Sequence, residues 1–148
     1  MPDSVSKQKR SEVMAAVKQK DTRPELYVRS LLHKHGLRYR LHDKRLSGKP
    51  DLVFPSLKSV LFVNGCFWHG HPDGRCKLSR LPKSNTEFWI NKVNVNRERD
   101  LRIWAKLRKE GWTVFVIWEC QIGKSSHPQR VLHQLLQKRI RRDRQEVK

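Results

Sequence analysis

Ten consecutive residues, Phe62-Val63-Asn64-Gly65-Cys66-Phe67-Trp68-His69-Gly70-His71, carry most of the chemistry this chain can do. An apolar run ends there in a cysteine, two histidines and two adjacent aromatics. Thiolate and imidazole are metal ligands, and imidazole also exchanges a proton near neutral pH. Pro50-Asp51 lies just upstream at the head of a strand-like segment, a position from which a carboxylate can hold Mg²⁺ against a scissile phosphate. A neighbouring strand delivers Asn64 and His69 beyond its end, close enough to share a site with Asp51. His69 then has the chemistry of a general acid or base. Glu25 is a second carboxylate, able to orient a metal-bound water or a histidine. Each group also has a plainer role: Pro-Asp pairs turn the chain, His69 suits a solvated loop, and Glu25 suits a helix cap.

Cys66, His71, Cys76 and Cys120 make up a Cys3His set, a ligand type that structural zinc takes in tetrahedral geometry. Their spacing is neither of the common paired CxxC forms, and His69 competes for the fourth place. Buried free thiols beside a surface histidine are the alternative. Cys66 and Cys120 each follow a predicted strand, so neighbouring strands would bring them to one sheet edge. The segment 65–85 has no periodicity, and a bound metal would organise it.

Composition narrows the partner. The 148 residues hold 33 Lys and Arg against 14 acidic residues, a net charge of +19 with a pI near 10.6, which points to a polyanion, nucleic acid first. Basic residues run through the chain interleaved with five Trp and five Phe, the mixture that stacking on or wedging between bases requires. Phe67, Trp68 and Trp89 suit that role, whereas Trp104 and Trp112 fall at core positions. A chain this long fits one domain, residues 1–148, and buries roughly 68–70% of its unfolded surface. Residues 1–20 read as a basic N-terminal arm and 143–148 as a flexible tail. No apolar run approaches ~20 residues and the polar start does not resemble a signal peptide, so the expectation is a cytoplasmic protein. Three cysteines in a reducing compartment favour metal binding over disulfides.

The elements that must position these groups follow from pattern. Residues 6–20, with Val13, Met14 and Val17 apolar, suit a short helix. Thr22-Arg23-Pro24-Glu25 opens a helix that Gly36 stops. Residues 37–41, 51–54 and 59–63 read as strands. Ser84-Asn85-Thr86-Glu87 is a second capping box, opening a long helix over residues 87–110 that Gly111 ends. Its apolar stripe is Ile90, Val93, Leu101, Trp104 and Leu107, with Arg97 facing inward. Residues 112–118 form a strand and 128–142 a basic amphipathic helix. This order gives an α/β domain with a central mixed β-sheet flanked by helices.

Asp21-Thr22 with Pro24-Glu25, Gly48-Lys49-Pro50-Asp51, Gly65-Cys66-Phe67-Trp68-His69-Gly70-His71, Thr86-Glu87-Phe88-Trp89, Glu98-Arg99-Asp100, Gly111-Trp112 and Trp118-Glu119-Cys120 together resemble the very short patch repair endonucleases over nearly the whole chain. The resemblance implies a restriction-endonuclease-like fold with structural zinc, and a Mg²⁺-dependent nick beside the T of a T:G mismatch left by deamination of 5-methylcytosine. It makes Asp51 the Mg²⁺ carboxylate with the Val63 carbonyl, His69 the catalytic histidine and Glu25 its helper. Cys66, His71, Cys76 and Cys120 match the zinc ligands. Phe67, Trp68 and Trp89 match intercalating aromatics, Met14 a minor-groove wedge, and Lys92 and Asn96 DNA-facing positions. A bacterial monomer acting on double-stranded DNA is implied, alongside mismatch-repair proteins and a cytosine-5 methyltransferase system. Two departures stand out: Asn64 replaces the family's histidine before Gly-Cys-Phe-Trp, and Pro72-Asp73-Gly74-Arg75 separates His71 from Cys76. Asparagine hydrogen-bonds a phosphate or water but cannot exchange a proton at neutral pH. Two further readings therefore stand: a zinc-stabilised protein that binds mismatches or lesions without cutting, and a related nuclease acting on other DNA.

Overall fold

The computed structural model describes residues 21–73 and 75–146, so the helix expected over residues 6–20, with Met14, lies outside the described residues. Thr22 starts helix α1, Arg23–Lys34, its hydroxyl accepting the Glu25 N–H at 3.4 Å, with Pro24 in the first turn where its missing N–H costs nothing. Gly36, at φ 84°, turns the chain out of the helix. Then come β1 (Arg40–Leu41), β2 (Leu52–Phe54), β3 (Ser59–Asn64), the long helix α2 (Thr86–Lys109), β4 (Thr113–Trp118) and helix α3 (His127–Glu146).

The four strands form one mixed sheet in the order β1-β2-β3-β4. β1/β2 and β2/β3 are antiparallel and β3/β4 parallel, with α2 as the crossover. Side-chain alternation divides the core between the two faces. Leu52, Phe54, Leu61, Phe115 and Ile117 pack with Val28 and Leu32 of α1 and Val131, Leu132 and Leu135 of α3. Val53, Val60 and Phe62 face Leu107 of α2, with Ile103, Trp104 and Trp112 around them. Cover on both faces explains why β3 reads as a continuous apolar run.

Four local expectations differ from the structure. β1 spans two residues of the expected five, because Leu37 turns into the core while Arg40 and Leu41 stay exposed. The Ser84 capping box does not form: Asn85 precedes α2 in the left-handed region at φ 54°, which asparagine tolerates, and makes no side-chain cap. The hidden face of α2 is also rotated from the apolar stripe. Ile90 and Leu101 are exposed and Arg97 points outward, while Trp89, Asp100 and Leu107 are buried. The reason is that the N-terminal half of α2 packs against the polar loop after β3 rather than on the sheet. α3 continues to Glu146, beyond the expected end at Arg142.

Candidate active site and metal centre

Strand direction gathers the chemistry at one end of the sheet. Because β2 runs against β3 and β4, its first residues share an end with the last residues of both, and β1 ends there too. Asp51 thus meets Val63 across the sheet: the Val63 N–H donates to Asp51 Oδ2 at 2.7 Å. Burial pushes the Asp51 carboxyl up to about 6, and the charge of Glu25 adds to the shift, while the Val63 N–H, His42 and His69 oppose it. A half-buried carboxylate with too little positive charge around it is the donor chemistry a divalent cation completes, so Asp51 fits a hard-cation ligand.

Glu25 is 2% exposed and does not close a reciprocal capping box with Thr22. Its Oε2 accepts the Asp21 N–H, and its Oε1 lies 3.0 Å from Arg29 Nη2 and 3.1 Å from His42 Nε2. The carboxylate is thereby turned from a local cap toward Arg29 and His42. Sequence reading missed Arg29 and His42. The hairpin carried the signal for His42: Leu41 pairs Leu52, so His42 must stand opposite Asp51, and its N–H donates to the Asp51 carbonyl at 3.2 Å.

Residues 65–71 fold as a tight turn, with the His69 N–H donating to the Gly65 carbonyl and the His71 N–H to that of Cys66. Gly70 is required where this turn meets α2, since at φ 61° a Cβ would lie 2.5 Å from Val93 Cγ1. Two polar residues on the inner face of α2 hold the turn. Asn96 Nδ2 donates to the Trp68 carbonyl at 2.8 Å, and the Asp100 carboxylate sits 2.6 Å from His69 Nδ1. Asp100 accepting from Nδ1–H leaves His69 Nε2 free to take a proton. No role was read for Asp100 in sequence, although an acid in register with buried Trp89 and Leu107 was the available signal. Asn64 is buried at 3% exposure, and its Nδ2 has no hydrogen-bond partner among the described residues.

Phe67, Trp68 and Trp89 form one aromatic cluster with ring centroids 5.1–6.1 Å apart, all edge-on. Trp89 is its buried base, while Phe67 and Trp68 are half-buried above it. Lys92 is exposed one turn along α2, whereas Asn96 is spent on the turn.

Cys66, His71, Cys76 and Cys120 converge, their ligand atoms all within 4.8 Å of one another. His71 Nδ1 lies 3.4 Å from Cys120 Sγ, and its ring stacks on Trp118 at 4.3 Å. Burial pushes the Cys66 thiol up. Burial also acts to raise Cys76, yet hydrogen bonds from His71, Cys66, Ser79 and Cys120 bring it down to about 6. Three sulfurs and one imidazole at such separations fit a tetrahedral metal, for which these four residues are the holders. His69, the competing ligand, is turned away toward Asp100.

A family profile described as DNA mismatch endonuclease Vsr matches residues 2–75. Type II nicking enzyme V.XorIIP of Xanthomonas oryzae pv. oryzae is 52% identical over 123 residues, covering 83% of this chain and 88% of that protein. Type II nicking enzyme V.NmeAIP of Neisseria meningitidis is 46% identical, covering 82% and 85%. DNA mismatch endonuclease Vsr of Escherichia coli is 41% identical, covering 82% and 76%. The chain belongs to the Vsr family of DNA endonucleases.

Proposed function

We propose that this protein is a Mg²⁺-dependent endonuclease, restriction-endonuclease-like in fold and held by structural zinc, that nicks duplex DNA beside the T of a T:G mismatch. The observation that carries this is the half-buried Asp51 carboxylate at the sheet end, within electrostatic reach of a His69 imidazole backed by Asp100. A cation bound by Asp51 and the Val63 carbonyl would supply Lewis-acid stabilisation of the charge that develops on the phosphate. The residues of the chain do the rest. His69 Nε2 accepts or returns the proton of the hydrolytic step while Asp100 fixes its tautomer. The orphan amide of Asn64 donates to the phosphate or to water without exchanging a proton.

Phe67 and Trp68, on the buried Trp89, supply a wedge for opening a base step. Unstacking costs a few kcal/mol and least at a mismatch, which favours T:G over paired DNA. Such a mismatch arises where a cytosine-5 methyltransferase has acted, so the reaction falls between deamination of its product and repair synthesis. The net charge of +19 supplies phosphate contacts, and affinity should fall steeply with salt.

Strand-labelled duplexes carrying one T:G mismatch or a paired T:A control, assayed with Mg²⁺ and without divalent cation, test the reading. The expected result is a cation-dependent nick at T:G alone. Equal cutting of both duplexes would favour a nuclease of broader substrate. Tight T:G binding with no nick across several flanking sequences would favour a non-cutting mismatch binder, a reading that the proton-inert Asn64 supports. A second test concerns His69. Asp100→Asn is expected to lower the single-turnover nicking rate by about 10²-fold with DNA affinity kept. A parent-like rate would show that the carboxylate has no part in proton transfer.

A further inference from the structure

The side chain of His42 lies between the buried Glu25 and the half-buried Asp51 carboxylates of the site, and no role assigned so far uses it. We propose that His42 is a positioning residue that spaces Asp51 from Glu25 and aims Asp51 Oδ1 at the cation; the inference rests on the reading of Asp51 as cation ligand.

The backbone fixes the ring first. His42 sits in the left-handed region at φ 47°, uncommon for a residue with a Cβ, and its N–H is bonded to the Asp51 carbonyl. The ring is then held from behind. Arg29 Nη2 lies 3.0 Å and Glu25 Oε1 3.1 Å from His42 Nε2. The same Nη2 pairs with Glu25 Oε1 at 3.0 Å and with Asp21 Oδ1 at 2.6 Å. Arg29 and Glu25 thus hold one side of the imidazole, and Nδ1 faces Asp51.

Asp51 Oδ2 is already held by the Val63 N–H, so Oδ1 is the oxygen left to be aimed, and it lies 4.0 Å from His42 Nδ1. That separation exceeds a hydrogen bond, so the ring acts as a spacer between Glu25 and Asp51. Without it, Asp51 could rotate toward Glu25, which would bring two like charges together. Outer groups that orient a metal-ligating carboxylate typically contribute 10–100-fold in affinity or activity.

The test is Mn²⁺ binding to the full, zinc-loaded chain without DNA, read as the EPR signal of free Mn²⁺, for the parent, His42→Ala, His42→Gln and Asp51→Asn. His42→Ala is expected to weaken Mn²⁺ binding by about 10–100-fold with zinc content and thermal midpoint unchanged. His42→Gln should recover most of the affinity, since its amide fills the space between Glu25 and Asp51 and can both donate and accept there. Asp51→Asn should remove the site. Parent-like binding by His42→Ala, with loss in Asp51→Asn, overturns the role of His42 alone. Equal binding by the parent and Asp51→Asn overturns the Asp51 reading instead. If His42→Ala and His42→Gln lose Mn²⁺ together with zinc, the residue holds the fold rather than the carboxylate, and the proposal fails.

Discussion

Asp51→Asn is expected to abolish nicking and, at the same time, to stabilise the protein at neutral pH in buffer free of Mg²⁺. The first effect follows from the loss of a charged cation ligand. Lewis-acid stabilisation of the phosphoryl transition state amounts to several kcal/mol, so the nicking rate should fall by roughly 10³-fold or more. The second follows from burial. The Asp51 carboxyl is raised to about 6, against about 3.9 in an unfolded chain, so between those values the folded protein binds more protons than the unfolded one. Stability on this account is full below about pH 4 and is lost as pH rises through 6. Ionised Asp51 then opposes folding by on the order of 2 kcal/mol at pH 7.5. Asparagine keeps an oxygen for the Val63 N–H without the charge. Urea unfolding of both proteins across pH 4–8, with zinc retained, should show a gain for Asp51→Asn that grows with pH. A variant that still nicks, or that gains nothing at pH 7.5, would remove Asp51 from its assigned place.

Cys66→Ser should have the largest structural effect of any single change. Cys66 is fully buried, sits just beyond the end of β3 and accepts the Cys120 N–H through its sulfur at 3.3 Å. Its loss breaks the four-ligand set, and zinc stoichiometry measured by atomic absorption should fall from one toward zero. Losing a structural metal is among the few single changes that exceed about 4 kcal/mol, and the urea midpoint should drop accordingly. Nicking should collapse with it, because the turn that begins at Cys66 also carries Phe67, Trp68 and His69. If the purified parent holds no stoichiometric zinc, the Cys3His assignment is wrong. A Cys66→Ser protein with the parent's midpoint would show that the cluster does not support the fold.

The two effects differ because the sheet end has two halves. One, built on Cys66, His71, Cys76 and Cys120, brings together the ends of β3 and β4 and the loop before α2, which a metal held there would cross-link. The other, built on Asp51, Glu25, His42 and Arg29, gathers charge that the fold tolerates at some expense of stability. Such an expense is usual where burial is arranged for chemistry.

Much of this was readable from local sequence. Periodicity and caps placed the three helices and the buried strands, because a helix start such as Thr22-Arg23-Pro24-Glu25 and an apolar run such as residues 59–63 depend on neighbours within a few positions. Residue type and spacing also singled out the four candidate metal ligands, Asp51 and His69. Other features were not local. Which face of α2 is hidden depends on what lies beneath it, and the polar turn at residues 65–71 drew Asn96 and Asp100 inward in place of Ile90 and Leu101. The Ser84 cap failed for a similar reason: the chain enters α2 through a left-handed Asn85, set by the path of the preceding loop.

By itself, then, the sequence determined the α/β pattern, the basic character and the residues able to bind metal or move a proton, since these depend on side-chain chemistry and short-range geometry. Only the tertiary structure decided how those groups are paired. Glu25 could serve as a helix cap or as part of a buried charge cluster, and the antiparallel register that sets His42 opposite Asp51 selected the second. His69 could join the cysteines or stand apart, and Asp100, contributed by α2 thirty-one residues later, holds it apart at 2.6 Å. Each choice rests on a contact between elements distant in the chain, and such contacts exist only once strand order and helix packing have closed the sheet end.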